Sequence, residues 1–477
     1  MSVWQQFTLS SLPLYQWQST SYLHRLVGSL RSWRQSSVCV QWAEPLGALL
    51  VALVFALAPF VSTALVGVLL AACAGFWILL TLSDEAGYVP GEVPKVTPIH
   101  WLVLLYWGIA TVATALSPVK MAALKGWGKL TLYLLFFALM ARVLRSPRLR
   151  SILIAVYLHI ALIVSVYGLR QWFFGAAALA TWTDPTSPLS KTTRVYSYLG
   201  NPNLLAAYLL PAIALSLAAI FAWRGWTRKA LALTMFAVNS ACLILTFSRG
   251  GWIGFILLLF AFSLMLLYWI GEHLPPFWRT WSLPILLGGL ALVLAVAILF
   301  VEPVRDRVFS IFASRKDSSN NFRVNVWEAV VEMIRDRPIL GIGPGNEAFN
   351  KVYPLYQRPR YTALSAYSVF LELAVETGLI GFCCFMWLLI VTFNQGWLQL
   401  NRLRQLGRRE GFWLIGAIAT IFGLLGHGLV DTVWYRPEVN SLWWMMVALI
   451  ASYYTFSPNS DRAPHTRTEH SSSDFSV

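Results

Sequence analysis

The sequence predicts an all-α, polytopic membrane protein of about 12 transmembrane helices, with one large polar loop between the ninth and tenth. Three observations carry this. The 477 residues are 57% hydrophobic and only 12% charged, and their mean hydropathy is +0.62, too apolar for a soluble chain of this size. Apolar runs of spanning length, ~20 residues, recur along most of the chain. Twenty-three Trp and 18 Tyr suit membrane interfaces, where an apolar ring carries a polar edge.

Residues 1–43 are a polar and aromatic head with Arg25, Arg31 and Arg34, read as a cytoplasmic segment with no cleavable signal peptide evident. Spans follow through 44–301, at about 44–60, 62–82, 98–116, 127–145, 150–170, 203–223, 230–247, 250–271 and 282–301. Pro59 and the short gap after it leave the first two open to a re-entrant hairpin. The loop occupies 302–367. Three more spans lie within 368–456, near 368–394, 411–432 and 439–456. Residues 457–477, rich in Ser, His and charge, read as a disordered cytoplasmic tail. No internal repeat is visible, which disfavours inverted-repeat transporter plans. The five cysteines, Cys39, Cys73, Cys242, Cys383 and Cys384, lie in or beside apolar runs without metal spacing and read as small core residues.

Short-loop Lys and Arg set the orientation. Segments 142–150, 224–229 and 402–409 are basic and fall on the side of the N-terminus, which is therefore the cytoplasm. The net charge of +15 is thus a topology signal, and no nucleic-acid motif accompanies it. The intervening loops are then periplasmic, and the chain is a multi-pass protein of the inner membrane.

The large loop holds seven acidic and ten basic residues. Within it Trp327, Val330, Val331 and Ile334 recur at helical spacing. Asn321 is the expected N-cap, and Pro338 should stop the helix at Arg337. Arg323, four residues before Trp327, shares its face; it either snorkels at the interface or faces a ligand. The alternating glycines of Gly341-Ile342-Gly343-Pro344-Gly345 let the backbone turn sharply and approach another group closely.

Each outer loop offers a cation. Arg194 precedes Gly200-Asn201-Pro202-Asn203. Arg249 sits in Ser248-Arg249-Gly250-Gly251 at the head of a helix, where anions are favoured. Arg436 follows His427 and Asp431, which form an i, i+4 pair on one helix face, and Glu372 and Glu376 form another. Ionisable groups near the membrane core are functional candidates. The plainer alternatives are mutual neutralisation of Arg and Glu, and helix packing for His427.

Residues 190–385 resemble the O-antigen ligase and polymerase superfamily of bacterial membrane proteins. The matching pieces are Arg194 with Gly200-Asn201-Pro202-Asn203, Ser248-Arg249-Gly250-Gly251, Arg323 with Trp327, Arg337-Pro338 through Gly345, and Glu376-Thr377-Gly378-Leu379-Ile380-Gly381. His24-Arg25-Leu26, Thr97 through Gly108 and Asp317 through Arg323 resemble a branch of it more closely, the cyanobacterial inorganic-carbon-accumulation proteins labelled bicarbonate transporters. The superfamily resemblance implies metal- and cofactor-free transfer of a glycan from an undecaprenyl-diphosphate carrier, beside membrane lipids. Arg194, Arg249, Arg323, Glu376 and Arg436 would bind substrate. The ligases' catalytic histidine is replaced by Tyr367, so Tyr367 and His427 are the candidate bases. The branch resemblance implies bicarbonate as the alternative ligand, directly or through an accessory role.

The orientation can be measured by cysteine labelling in a background without the native thiols. Ser318→Cys should react with an impermeant maleimide in intact cells and Gln405→Cys should not; the reverse pattern would put the arginines in the cytoplasm.

Overall fold

The computed structural model describes residues 3–9, 29–30, 42–84, 96–177, 193–300, 305, 308 and 318–455. Most of the head, Cys39, Asp317 and the tail lie outside the described residues. Among the described residues all regular elements are helical, as expected. A short helix α1 (Val3–Phe7) is followed by α2 (Ala43–Leu57), α3 (Thr63–Leu82), α4 (Pro98–Ala115), α5 (Lys120–Val143), α6 (Pro147–Phe174), α7 (Pro202–Ala222), α8 (Trp226–Leu245), α9 (Arg249–Ile270) and α10 (Pro276–Phe300). Then come α11 (Ser318–Asp336), α12 (Asn346–Val352), α13 (Val369–Gln405), α14 (Gly411–Gly428) and α15 (Pro437–Ser452). Nine of these helices are long and apolar enough to cross a membrane. The apolar helices α2, α10 and α15 fall where the remaining spans were expected. A membrane-buried backbone must satisfy its own polar groups, and helices do so within one segment.

Helices α7 and α14 form the centre and are buried on nearly all sides, while α3 and α9 turn most of their surface outward. The buried helices meet through small residues. A Cβ on Gly254 would lie 2.5 Å from the carbonyl oxygen of Gly423, so α9 and α14 approach closely. Helices α2 and α3 are separate and pack on one another. Cys73, Cys242 and Cys384 are buried free thiols, whereas Cys383 is exposed.

Ion pairs tie one end of the bundle together. Arg142 bonds Glu44 at 2.7 Å and Asp84 at 3.0 Å, linking α5 to the start of α2 and the end of α3. Arg150 reaches Glu410 at 3.1 Å and stands over the ring of Tyr453. Arg404 reaches Glu272. The basic segments 142–150 and 402–409 therefore share one end. Helix α7 returns the chain from Asn203 to residues 224–229 at that same end, and α8 carries it back to Thr246.

At the opposite end the described part of the large loop packs on the bundle. Helix α11 begins at Ser318, so Asn321 lies inside it rather than capping it. The Asn321 amide donates to the Tyr361 hydroxyl at 3.0 Å, and Asn325 donates back to Asn321. The last helical bond runs from Arg337 N–H to the Met333 carbonyl, matching the proline stop. The buried face is Val326, Ala329, Val330 and Met333, rotated by about one residue from the expected stripe. It packs against Phe349, Tyr353 and Val375 of the loop and α13. Burial against protein, not lipid, sets which residues face in.

The glycine run explains how the loop docks. Helix α13 is broken at Gly378, whose φ of 67° is left-handed. The amides of Ile342 and Gly343 bond the carbonyls of Val375 and Glu376 at 2.9 Å, and Leu379 N–H bonds the Pro338 carbonyl at 2.7 Å. A Cβ on Gly378 would stand 2.1 Å from the Ile339 carbonyl oxygen. One on Gly126 of α5 would stand 1.9 Å from that of Pro344. Gly126→Ala and Gly378→Ala should each cost about 1–3 kcal/mol of stability. Gly128→Ala, on the same helix as Gly126 with nothing within 4 Å, should be neutral or stabilising by up to ~1 kcal/mol. Thermal unfolding in detergent distinguishes them; equal midpoints would mean that the loop does not dock so tightly.

Candidate functional site

The end of the bundle beneath the loop gathers helix beginnings. Helix α7 is capped by Asn201, whose side chain accepts from Asn203 N–H at 2.8 Å and Leu204 N–H at 3.3 Å. Helix α9 is capped by Ser248, which accepts from Gly251 N–H at 3.1 Å. Phe247 and Tyr367 both have φ of 51°, a left-handed conformation costly for aromatic residues. Each directly precedes a serine at the head of a helix, α9 and α13 respectively, and each turns the chain sharply into it.

Arg249 is the first residue of α9 and is buried. It donates from Nη1 to Oδ1 of Asn320 on α11. Arg323, one turn further along α11, donates to Ser319 at 2.8 Å. Arg249 and Arg323 line one cavity of about 230 Å³ together with Asn320, Trp327 and Val430. Arg323 Nε and Trp327 Nε1 are buried without a hydrogen-bond partner. Arg194 stands behind them. Its Nε donates to the Thr246 carbonyl at 3.0 Å and its Nη2 to Asn203 Oδ1 at 3.2 Å. The Asn203 amide in turn donates to Asp431 at 2.6 Å.

Burial pushes Arg194 down to about 10; Asp431 opposes this, while the like charges of Arg249 and Arg323 add to it. The structure thus brings the three expected arginines into one electrostatic group. Helix N-termini add partial positive charge there. The arrangement favours an anion with several oxygens, which guanidinium forks grip well.

The other expected residues distribute differently. Tyr367 is edge-on to Phe322 at 5.4 Å. Burial, then Asp431, Tyr435 and Glu372, push its hydroxyl up to about 12, and Arg323 counters only part of this. The arginines therefore do not turn Tyr367 into a neutral-pH base. His427 is buried on α14, its ring 3.4 Å and its Cβ 3.3 Å from the sites of a Cβ on Gly250 and Gly254. Its Nε2 is buried without a hydrogen-bond partner. Helix α14 ends at Gly428, so Asp431 lies beyond it and the i, i+4 face with His427 does not form. Arg436 heads α15 and lines neither this cavity nor a second one. That second cavity has Glu372 and Glu376 in its wall. Glu372 accepts from Ala366 N–H at 2.8 Å.

Asn320 and Asp431 were not expected as site residues. The adjacent Asn320-Asn321 pair ahead of Arg323 was the available signal for the first. Asp431 stood out only as a partner for His427, because its actual partner Asn203 is 228 residues away.

Residues 230–386 match the family model described as O-antigen ligase. This supports an O-antigen ligase-superfamily membrane protein. The matched span takes in Arg249, Asn320, Arg323, Tyr367, Glu372 and Glu376, whereas Arg194 and Asp431 join the site from outside it. No curated protein matches the chain.

Asp431 offsets the charge of Arg194 through Asn203. Asp431→Asn should therefore cost about 1–3 kcal/mol of stability, and adding Arg194→Met should restore part of it. Unfolding midpoints of the two single variants and the double variant test this; strict additivity would show that the residues are not coupled.

Proposed function

We propose that the protein binds a glycan carried on undecaprenyl diphosphate at the periplasmic face of the inner membrane and transfers the glycan to an acceptor hydroxyl. The observation that carries this reading is the pair of guanidiniums, Arg249 and Arg323, in the wall of one cavity, with Arg194 in the same group. Three such cations repel one another unless a multivalent anion joins them. In glycan transfer the acceptor oxygen attacks the anomeric carbon. The bond from that carbon to the diphosphate breaks, and its electron pair stays on the departing phosphate oxygen. Fixed cations aimed at that oxygen stabilise charge as it develops, without reorganisation. Apolar spans beside the site offer a surface for the polyprenyl chain.

Charge counting separates this ligand from bicarbonate. Bicarbonate brings a single negative charge and fewer oxygens than three guanidiniums can engage. A lipid diphosphate brings more of both, and each charge-assisted contact is worth roughly 1.5–3 kcal/mol. A transport route would draw on ionisable groups and broken helices near the bilayer midplane, for which His159, Asn239 and Pro211 are the candidates. His159 faces outward, buried Asn239 accepts from Ser165 at 2.7 Å, and α7 runs unbroken through Pro211.

Purified protein in detergent should gain thermal stability with undecaprenyl diphosphate, by about 2.7 kcal/mol when the lipid is at a hundredfold its Kd. Arg194→Ala, Arg249→Ala and Arg323→Ala should each reduce that gain. Arg249→Lys should reduce it too, since a point charge does not reproduce the fork. Stabilisation by millimolar bicarbonate at constant pH and ionic strength, with none from the lipid, would overturn the reading in favour of carbon transport.

A further inference from the structure

The second cavity, of about 160 Å³, opens between α5, α13, α15 and the glycine loop. Its chemistry is unlike that of the arginine cavity. Trp434 and Trp443 stand 4.2 Å apart between ring centroids, and Phe385 stacks on Trp443 at 6.0 Å. Tyr106 and Tyr133 complete an aromatic wall. Among these rings lie two carboxylates, Glu372 and Glu376, and two amides, Asn346 and Asn440. The residues of this wall carry buried polar atoms without a partner, both donors and acceptors. They are the indole nitrogens of Trp434 and Trp443, the hydroxyl of Thr432 and the amide oxygens of Asn346 and Asn440. The far amide nitrogens are satisfied: Asn346 donates to the Leu364 carbonyl at 2.5 Å and Asn440 to the Trp434 carbonyl at 2.7 Å. Both amide oxygens are thereby held in fixed places.

Buried polar groups are expected to have partners, and this set selects one kind. Carboxylates in the wall disfavour an anion, and the wall's cation, Lys129, lies 3.9 Å from Glu347. Indole N–H groups and amide oxygens together call for a ligand that both accepts and donates, as hydroxyls do. Aromatic faces suit the C–H faces of a sugar ring while polar groups at its edge meet its hydroxyls, the usual division of labour in a small-molecule pocket.

The position is as informative as the chemistry. Arg323, Glu372 and Tyr435 all lie close enough to Tyr367 to act on its hydroxyl. Arg323 lines the arginine cavity, and Glu372 and Tyr435 line this one. The two cavities are therefore neighbours across Tyr367 and the segment Val430-Asp431-Thr432, in which Val430 lines the first and Thr432 the second.

We propose that this cavity is the acceptor subsite, binding a neutral sugar ring, and that Glu372 takes the proton from its attacking hydroxyl. The assignment rests on the transfer reading above. The hydroxyl proton passes to the Glu372 carboxylate as the oxygen bonds to the anomeric carbon, and the diphosphate leaves toward the arginines with the bonding pair. Glu376 and Asn440 hold the ring, and Tyr367 donates a hydrogen bond between the two halves of the site. A carboxylate on α13 thus fills the place that Tyr367 leaves unfilled as a base.

The test uses the whole protein in a sugar-free amphipol, with glucose, galactose, glucosamine and N-acetylglucosamine as separate probes. Saturation-transfer NMR should show at least one of them binding without any lipid present. Asn440→Ala and Glu376→Gln should weaken that sugar about tenfold, the loss of one strong hydrogen bond. Glu372→Gln should keep sugar binding within a few-fold but abolish transfer from a lipid-linked glycan, a split that loss of packing would not produce. Lipid-induced stabilisation of each variant reports whether it is folded, and Asn346→Ala, on the separate glycine loop, stands in for one that is not. The assignment fails if no free sugar binds, or if binding survives unchanged in Asn440→Ala and Glu376→Gln. It also fails if a sugar is contacted only when attached to the lipid, since the ring would then belong to the donor. Free-sugar binding without any stabilisation by undecaprenyl diphosphate would instead sink the diphosphate reading, and with it the role of Glu372.

Discussion

Close backbone contact between the glycine loop and two membrane helices is the constraint on which the outer half of the protein depends. Pro344 and Gly345 lie against Gly126 of α5, and Gly341 and Ile339 lie against the broken turn of α13 at Gly378. These approaches leave no room for a side chain on either partner. They fix residues 339–345, and α11 runs directly into that segment. Helix α11 carries Asn320 and Arg323, so their placement beside Arg249 follows from a docking event well away from the cavity itself. The break at Gly378 has a second consequence. It frees the carbonyls of Val375 and Glu376 from the helix and offers them to the loop amides. The same short stretch of α13 therefore anchors the loop and carries Glu372 and Glu376.

The two cavities divide the electrostatics of the site. One holds cations gathered at helix beginnings, the other carboxylates among aromatic rings. A single cavity with both sets would collapse into buried ion pairs, which are costly to desolvate and bind nothing. Tyr367 and Asp431 stand between them. Asp431 lends its charge to Arg194 through Asn203, and Tyr367 presents a neutral hydroxyl where a charge would bias one side.

How far the sequence foretold this depends on the range of each interaction. The spans were legible because hydrophobicity over about twenty residues is a local property, and the glycine run because left-handed turns and close approach demand glycine. Arg194, Arg249 and Arg323 were legible as cations in costly places, and the structure collects them. The errors share a cause. Asn321 was read as a cap and the α11 stripe was read one residue out because the start of a helix depends on what packs against it. The pairing of His427 with Asp431 failed for a similar reason, since α14 stops at Gly428 where α13 and α9 meet it. The carboxylate cavity was invisible. Its wall comes from residues 106 to 444, and no local pattern joins Tyr106 to Trp443.

The substitution of tyrosine at position 367 then acquires a physical sense. A histidine there would be a titratable base between an arginine cluster and two carboxylates, sensitive to both. A tyrosine in the same half-buried position stays neutral across the physiological range, and on the proposed assignment proton acceptance moves to a group whose position is fixed by the helix. Glu372 is oriented by the Ala366 amide, which bonds one of its oxygens at 2.8 Å. The left-handed backbone at Tyr367 is what brings Ala366 and Glu372 into that contact, by folding the end of the loop back over the first turn of α13. The strain at residue 367 is offset by this hydrogen bond and by the packing on Phe322. On the proposed assignment, the residue that interrupts the expected catalytic pattern is thus the one that positions its replacement.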